Sequence, residues 1–272
     1  MDYVAPATLA EAFAALDHPE ARPLAGGQSL VAMMNLGLVT PARLVSLRRI
    51  AELRGLREGA DGGLRIGAMT THAELAAIED GSAALRLLSQ AARVVAYPAV
   101  RAWGTLGGSV AHADPAADYP VALAAAGAVV EVASAAGSRR LPAADFFRGL
   151  FETALTPGEI VSAIHLPGEP RGGGAAYRKL SLVAGDFAIV SVAALAGSTV
   201  AIAVGGCAAT PLVQTGLRHD EALEAGAALA ARCDPPSDHR ASGAYRRKVL
   251  PELVRRAVRT ALEDAGLQEA KR

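Results

Sequence analysis

The spacing of hydrophobic residues divides the chain into three segments, which we place at residues 1–55, 56–170 and 171–272. In the first segment, Thr8 precedes apolar residues at helical spacing, which predicts a capped helix. Three further elements are predicted in this segment: a strand at 22–25, a helix at 29–36 and a strand at 43–47.

The second segment mixes alternating and helical patterns. It predicts strands at 64–68, 129–133 and 160–166, and helices at 72–78 and 83–95. Asp114 and Pro115 are the residue types preferred at the N-cap and first position of a helix, so we expect Asp114 to cap one.

The third segment follows a stretch rich in proline and glycine, residues 167–174, which marks a boundary. Predicted strands at 175–179, 189–196 and 199–205 come first, and predicted helices at 217–231 and 245–265 come last. Strands followed by helices indicate an α+β domain.

Two glycine stretches carry the candidate chemistry, PLAGGQSL at 23–30 and TLGGS at 105–109. Glycine permits positive φ and close backbone approach to a ligand, and successive N–H groups in such a turn form an anion-binding nest. A helix that begins at Gln28 or Ser29 would add its positive end. Two such nests could hold a pyrophosphate from both sides. For each stretch taken alone, the alternative is a tight strand-to-helix connection, and neither stretch matches GxGxxG or GxxxxGK[ST].

Composition excludes several classes of function. The formal net charge is zero, which argues against a nucleic-acid-binding protein, and no apolar run is long enough for a membrane span. The N-terminus lacks the pattern of a signal peptide, so we expect a cytoplasmic protein. Free, buried thiols are then expected at Cys207 and Cys233, with a disulfide between them as the alternative. Two cysteines cannot ligate an iron–sulfur cluster, and the six histidines lack metal-binding spacing, so no metal is expected on this chain.

Seven motifs occur in an order that points to one family. They are LAGGQSL at 24–30, IGAMTTH at 66–72, WGTLGGSVAHADPAADYP at 103–120, GEIV at 158–161, YRK at 177–179, GDFA at 185–188 and AYRR at 244–247. With these motifs the chain resembles the medium, FAD-binding subunits of the xanthine dehydrogenase and aerobic carbon monoxide dehydrogenase family, the molybdenum hydroxylases. The resemblance covers nearly the whole chain.

That resemblance implies a fold and a binding site. The fold is α+β: a PCMH-type FAD-binding fold of two α/β subdomains, 1–55 and 56–170, followed by a C-terminal α+β domain of the carbon monoxide dehydrogenase flavoprotein type, 171–272. The implied FAD contacts are Leu24, Ala25, Gly26, Gly27, Gln28, Ser29, Leu30, Thr71, Thr105, Gly107, Gly108, Ser109, Asp118, Val161 and Lys179. The basic residue is ambiguous by one position, because Arg178 matches the motif nearly as well as Lys179 does. Thr70 lies at the same strand end as Thr71.

The resemblance also implies partners. Two [2Fe–2S] clusters and a molybdopterin belong to such enzymes, and two cysteines place the clusters on other polypeptides. We expect an iron–sulfur small subunit and a molybdopterin large subunit, assembled as a dimer of heterotrimers, with an external electron acceptor. The branch that acts on hydroxybenzoyl-CoA carries an additional cluster in this subunit, and this chain lacks the cysteines for it.

Other interpretations remain open at this point. His112, Asp114 and Asp118 could form an acid–base cluster, but a packing role for His112, a capping role for Asp114 and a flavin contact for Asp118 explain them better. No catalytic residue is therefore predicted. Rival functions are a stand-alone PCMH-type flavin oxidoreductase and an assembly scaffold without a cofactor.

Overall fold

The computed structural model describes residues 1–59, 61–168 and 173–267, and these residues form three larger sheets and one two-stranded pair. The first sheet is parallel, with the order β1-β3-β2, and contains β1 (Asp2–Val4), β2 (Ala21–Leu24) and β3 (Arg43–Ser46). Helix α1 (Leu9–Leu16) packs on it through Ala12 and is capped by Thr8, as predicted. Helix α2 (Leu30–Asn35) follows β2.

The second sheet is antiparallel, with the order β4-β5-β10-β6-β7. Its strands are β4 (Leu56–Glu58), β5 (Leu64–Gly67), β6 (Val129–Ser134), β7 (Gly137–Pro142) and β10 (Ile160–Leu166), and a small pair, β8 (Phe147–Gly149) and β9 (Glu152–Thr153), lies beside it. Its helices are α3 (His72–Ala76), α4 (Ala83–Arg93), α5 (Pro98–Arg101), α6 (Leu106–His112), α7 (Asp118–Ala125) and α8 (Ala143–Phe146).

The third sheet is an antiparallel meander whose two faces are both covered by helices. It contains β11 (Gly174–Leu180), β12 (Val190–Ala196), β13 (Val200–Gly205) and β14 (Leu212–Leu217), followed by α9 (His219–Arg232) and α10 (Gly243–Asp264). Side chains alternate between the faces, so Ala176 packs toward α9 and α10, whereas Ala175 and Tyr177 join the core around α4 and α7.

Several predicted elements are confirmed, and three predictions are wrong in detail. Asp114 caps no helix: its carboxylate accepts a hydrogen bond from the Ala116 amide at 2.8 Å in a local turn, and α7 begins only at Asp118. The helix predicted from 217 begins at His219, because Leu217 still belongs to β14. The glycine stretch at 105–109, predicted as a turn with open amides, is largely the N-cap and first turn of α6.

The predicted boundary at 170/171 lies outside the described residues. Of the helices that the structure does describe, none combines the length and the apolar character needed to cross a membrane.

A network of charges on the second sheet yields a stability prediction. Glu131 on β6 accepts hydrogen bonds from Arg65, His165 and Ser162, and these bonds lower the pKa of Glu131 to about 2 although burial opposes the shift. A carboxylate with a lowered folded-state pKa stabilises the fold above its unfolded-state pKa of about 4.3, and this contribution disappears as the pH falls toward 2.

We therefore expect Glu131→Gln to lower the urea midpoint at pH 7 and to matter progressively less between pH 4 and pH 2. Urea unfolding across this pH range measures the difference. Glu224→Gln, at an exposed position of α9, is the matched control and should leave the midpoint unchanged at every pH. A deficit for Glu131→Gln that grows as the pH falls would contradict the prediction.

Candidate functional site

A cleft of about 440 Å³ lies where the three segments of the chain meet, and its size suits an organic cofactor. The end of β2, the loop to α2, the end of β5, the start of α6 and the start of β10 form its walls. Residues 185–187, from the loop between β11 and β12, close one side.

The first glycine segment, residues 24–30, leaves β2 and turns into α2. Gly27 has a φ of +74°, which the absence of a Cβ permits. The backbone N–H groups of residues 26 to 30 have no hydrogen-bond acceptor in the part of the chain that the structure describes. All five of these residues line the cleft, so consecutive amide donors are available to an anionic ligand.

The second glycine segment, residues 105–109, has a different structure from the predicted one. Thr105 caps α6, and its hydroxyl accepts from the Gly108 amide at 3.1 Å. The amides of Leu106 and Gly107 donate to the carbonyl groups of Thr70 and Ala68, at 2.9 and 2.8 Å. These N–H groups are already satisfied, so the prediction of a second open nest is wrong.

Close backbone packing explains the glycines of the second segment better than ligand access does. A Cβ on Gly107 would lie 2.5 Å from the Cβ of Ala68. Gly26, in the first segment, lies against the carbonyl oxygen of Trp103 and also leaves no room for a Cβ. These approaches bring Ala25 of the first segment near Gly108 of the second, and both line the cleft.

Asp118 is a buried carboxylate at the wall of the cleft. Lys179 donates to one of its oxygens at 3.1 Å and Tyr177 to the other at 2.8 Å. The side chains of Asp118 and Lys179 are only 6% and 5% exposed, so the two charges neutralise each other away from water. Burial raises the pKa of Asp118, and the Lys179 ammonium and the Tyr177 hydroxyl oppose the rise.

Successive side chains of β11 point to opposite faces of the sheet, and this separates the two basic candidates, Arg178 and Lys179. Lys179 shares the face of Tyr177, and it also donates to the carbonyl of Val94 at 2.7 Å. Arg178 points to the opposite face, where it donates to the hydroxyl of Thr260 at 2.9 Å. Lys179 is thus the basic residue next to Asp118.

Most of the residues predicted to contact FAD lie together at the cleft. Those that line it are Ala25, Gly26, Gly27, Gln28, Ser29, Leu30, Thr105, Gly107, Gly108, Ser109, Asp118 and Val161. Leu24 ends β2 behind the wall, and Lys179 lies behind Asp118. Thr71 does not line the cleft: it forms a capping box with Glu74 at the start of α3.

Other residues that line the cleft were not predicted to contact the cofactor. His72, Val95, Ala96 and Val100 form one wall, and Asp186 and Phe187 form another. The GDFA motif at 185–188 is the one sequence feature that could have indicated the second group. Among the described residues no cluster of His, Cys, Asp or Glu is arranged to hold a metal ion.

The chemistry of the cleft fits FAD. Unpaired amides at 26–30 suit a pyrophosphate, and the Ser109 hydroxyl, without a hydrogen-bond partner in the described residues, can donate to an oxygen of the ligand. Met69, Leu155 and Ile160 supply apolar surface for a ring system. Asp118 supplies a fixed acceptor for hydroxyl or ring N–H groups.

Comparison with known proteins agrees with this chemistry. Residues 1–169 match the family described as the FAD binding domain in molybdopterin dehydrogenase. Residues 175–261 match the family described as the CO dehydrogenase flavoprotein C-terminal domain. Together the two families cover nearly the whole chain and bear out the expected fold class.

Individual relatives give the same result. The carbon monoxide dehydrogenase medium chain of Afipia carboxidovorans is 38% identical over 96% of this chain and 96% of its own length. The glyceraldehyde dehydrogenase medium chain of Sulfolobus acidocaldarius is 34% identical over 94% and 96%. A solved structure, the reconstituted CO dehydrogenase from Oligotropha carboxidovorans, superposes with a TM-score of 0.90 at 36% identity, covering 97% of this chain and 98% of the other. The chain therefore belongs to the family of FAD-binding medium subunits of the molybdenum hydroxylases, as the flavoprotein component of an oxidoreductase.

Proposed function

We propose that the pyrophosphate of FAD binds at the first glycine segment, and the free amides of residues 26 to 30 carry this proposal. An anion at this position would accept hydrogen bonds from the start of α2 and from the turn before it. The hydroxyl of Ser109 would add a donor from the opposite wall. Thr105, Gly107 and Gly108 act mainly by shaping that wall, because their polar groups are largely occupied within the protein.

Asp118 and Lys179 form the second part of the proposed site. Lys179 holds the Asp118 carboxylate in one orientation, so that it faces the ribityl chain or flavin ring as a preorganised acceptor. Val161 and its apolar neighbours exclude water from the same cleft. When bound, FAD supplies the electron-accepting chemistry, and the chain supplies binding, orientation and electrostatics.

We further propose that this subunit receives electrons from [2Fe–2S] clusters on a small partner subunit and passes them to an external acceptor. A large partner subunit would hold molybdopterin, in a cytoplasmic dimer of heterotrimers. The sequence has two cysteines, too few for a cluster ligated by four thiolates, which supports a division of labour between polypeptides. The relatives named as medium chains support the same division.

Co-expression with candidate partner subunits tests the electron-transfer role. The purified complex should show a flavin absorption band, and reduction of the clusters should bleach it. The isolated chain with FAD should not oxidise organic substrates. Turnover by the isolated chain would favour the stand-alone oxidoreductase, and a complex without flavin would favour the scaffold.

Gly108→Val should abolish retention of FAD through purification. A Cβ at Gly108 would lie 2.9 Å from the Thr105 hydroxyl and 3.5 Å from the Ala25 Cβ, so a branched side chain displaces one glycine segment from the other. The flavin-to-protein absorbance ratio measures retention. Gly197→Val is the control, because the nearest atom to a Cβ there is the Thr199 carbonyl oxygen at 4.0 Å. Full flavin occupancy in Gly108→Val would count against the site.

Lys179→Met should both weaken FAD binding and destabilise the chain by about 3 kcal/mol, because it leaves the Asp118 carboxylate buried without a counter-ion. Urea unfolding and FAD titration measure the two effects. Arg178→Met is the matched control: Arg178 is exposed, and its loss should change stability by about 0.5 kcal/mol or less. Equal effects of the two substitutions would contradict the assignment of Lys179.

A further inference from the structure

His72 is a buried imidazole at the wall of the cleft. It is the first residue of α3, its backbone N–H donates to the carbonyl of Gly104 at 3.0 Å, and the residue is only 5% exposed. Its neighbour Gly104 lies against Gly26 of the first glycine segment, and His72 and Gly104 line the same cleft as residues 185–187. The ring nitrogens at this position either form hydrogen bonds within the protein or are available to bind a ligand.

One ring nitrogen of His72 is satisfied by Tyr119. The Tyr119 hydroxyl lies 2.9 Å from Nδ1, and the two ring centroids are 5.2 Å apart. Tyr119 is fully buried, and its hydroxyl has no other hydrogen-bond partner in the described residues. The hydroxyl proton therefore points to Nδ1, which acts as the acceptor, so a neutral His72 carries its own proton on Nε2.

The surroundings of His72 keep it neutral. Burial, and then the positive charge of Arg101, lower the pKa of His72 to about 4. Arg101 on α5 donates to the carbonyl groups of Val95 and Ala96 on the same wall. Asp118, next to Tyr119 on α7, is already neutralised by Lys179. At neutral pH the imidazole is thus a donor through Nε2 alone.

The Nε2–H group has no acceptor in the described part of the chain. It lies next to Gly104, where a Cβ would be 2.6 Å away, so the absence of a side chain at Gly104 makes room for the imidazole. His72 and Gly104 both line the cleft. A donor at this wall without a partner in the protein is free to meet the acceptor atom of a ligand in the cleft.

We propose that His72 is a cofactor-positioning residue whose Nε2–H donates a hydrogen bond to an acceptor atom of FAD, in a tautomer that Tyr119 fixes. The acceptor is an oxygen or nitrogen of FAD, on the flavin ring or on the ribityl-pyrophosphate chain. This role rests on FAD occupying the cleft as proposed above.

FAD titration of the full chain tests the role of His72. We expect His72→Leu to raise the Kd for FAD by about five- to tenfold, the value of one hydrogen bond. His72→Gln, which keeps an N–H donor, should stay within about twofold of the native chain, and Tyr119→Phe should lie between the two. His18→Leu, at a site outside the cleft, should leave the Kd unchanged.

Two further readouts distinguish this role from a structural one. Nitrogen NMR of the native chain should show Nε2 protonated from pH 6 to pH 8, and the Nε2 signal should shift when FAD binds. The Kd ratio between His72→Leu and the native chain should be constant over the same range, because the ring is already neutral. A protonated Nδ1, an Nε2 signal that FAD leaves unmoved, or a Kd equal in His72→Leu and the native chain would overturn the proposal.

The position of the acceptor follows from the same variants. A changed visible spectrum in His72→Leu would place it on the flavin ring, and a weaker Kd with an unchanged spectrum would place it on the ribityl-pyrophosphate chain. If the native chain itself fails to bind FAD, the proposed site fails. If the native chain binds FAD and His72→Leu binds it equally well, only the role of His72 fails.

Discussion

Backbone contact without intervening side chains is the constraint on which this cleft depends. Gly26 lies against the Trp103 carbonyl, Gly104 against His72, and Gly107 against Ala68. Each contact has room for a hydrogen atom and none for a Cβ. Because residues 104–107 are fixed in this way to Ala68 and α3, the amides of Leu106 and Gly107 are paired within the protein, whereas those of residues 26–30 remain available. The two similar glycine motifs thus have unequal roles: one offers donors and the other provides a rigid wall.

The sequence alone predicts much of the framework, because hydrophobic periodicity reports burial directly. This periodicity predicts helix α4 and most strands of the second and third sheets. The preference of helices for a hydroxyl residue at the N-cap predicts the role of Thr8. Short exposed strands such as β1 and β4 leave no such pattern and were not predicted. The prediction that Asp114 caps a helix is wrong for a physical reason. Its carboxylate accepts a hydrogen bond from the backbone two residues later, and this local turn competes with helix capping.

The site shows a similar limit. Alternation along β11 could have separated Lys179 from Arg178, since only residues two apart from Tyr177 share its face. The pairing of amides at Leu106 and Gly107 with Thr70 and Ala68 depends on tertiary contact, and no local pattern reveals it. The same holds for His72 and Tyr119, which meet across 47 residues of sequence. Local motifs therefore identify the wall of the cleft, and long-range contacts decide which polar groups are free.

The two-sided packing of the third sheet has a consequence for synthesis. Ala175, Tyr177, Ala193 and Ala203 belong to the same core as α4 and α7, so a nascent chain ending near residue 168 exposes that apolar surface. Such a chain would also hold the Asp118 carboxylate before Lys179, its counter-ion, has been made. The cleft therefore gains the wall at residues 185–187, and Asp118 its counter-ion, only once the C-terminal sheet has been made and has packed on the rest of the chain.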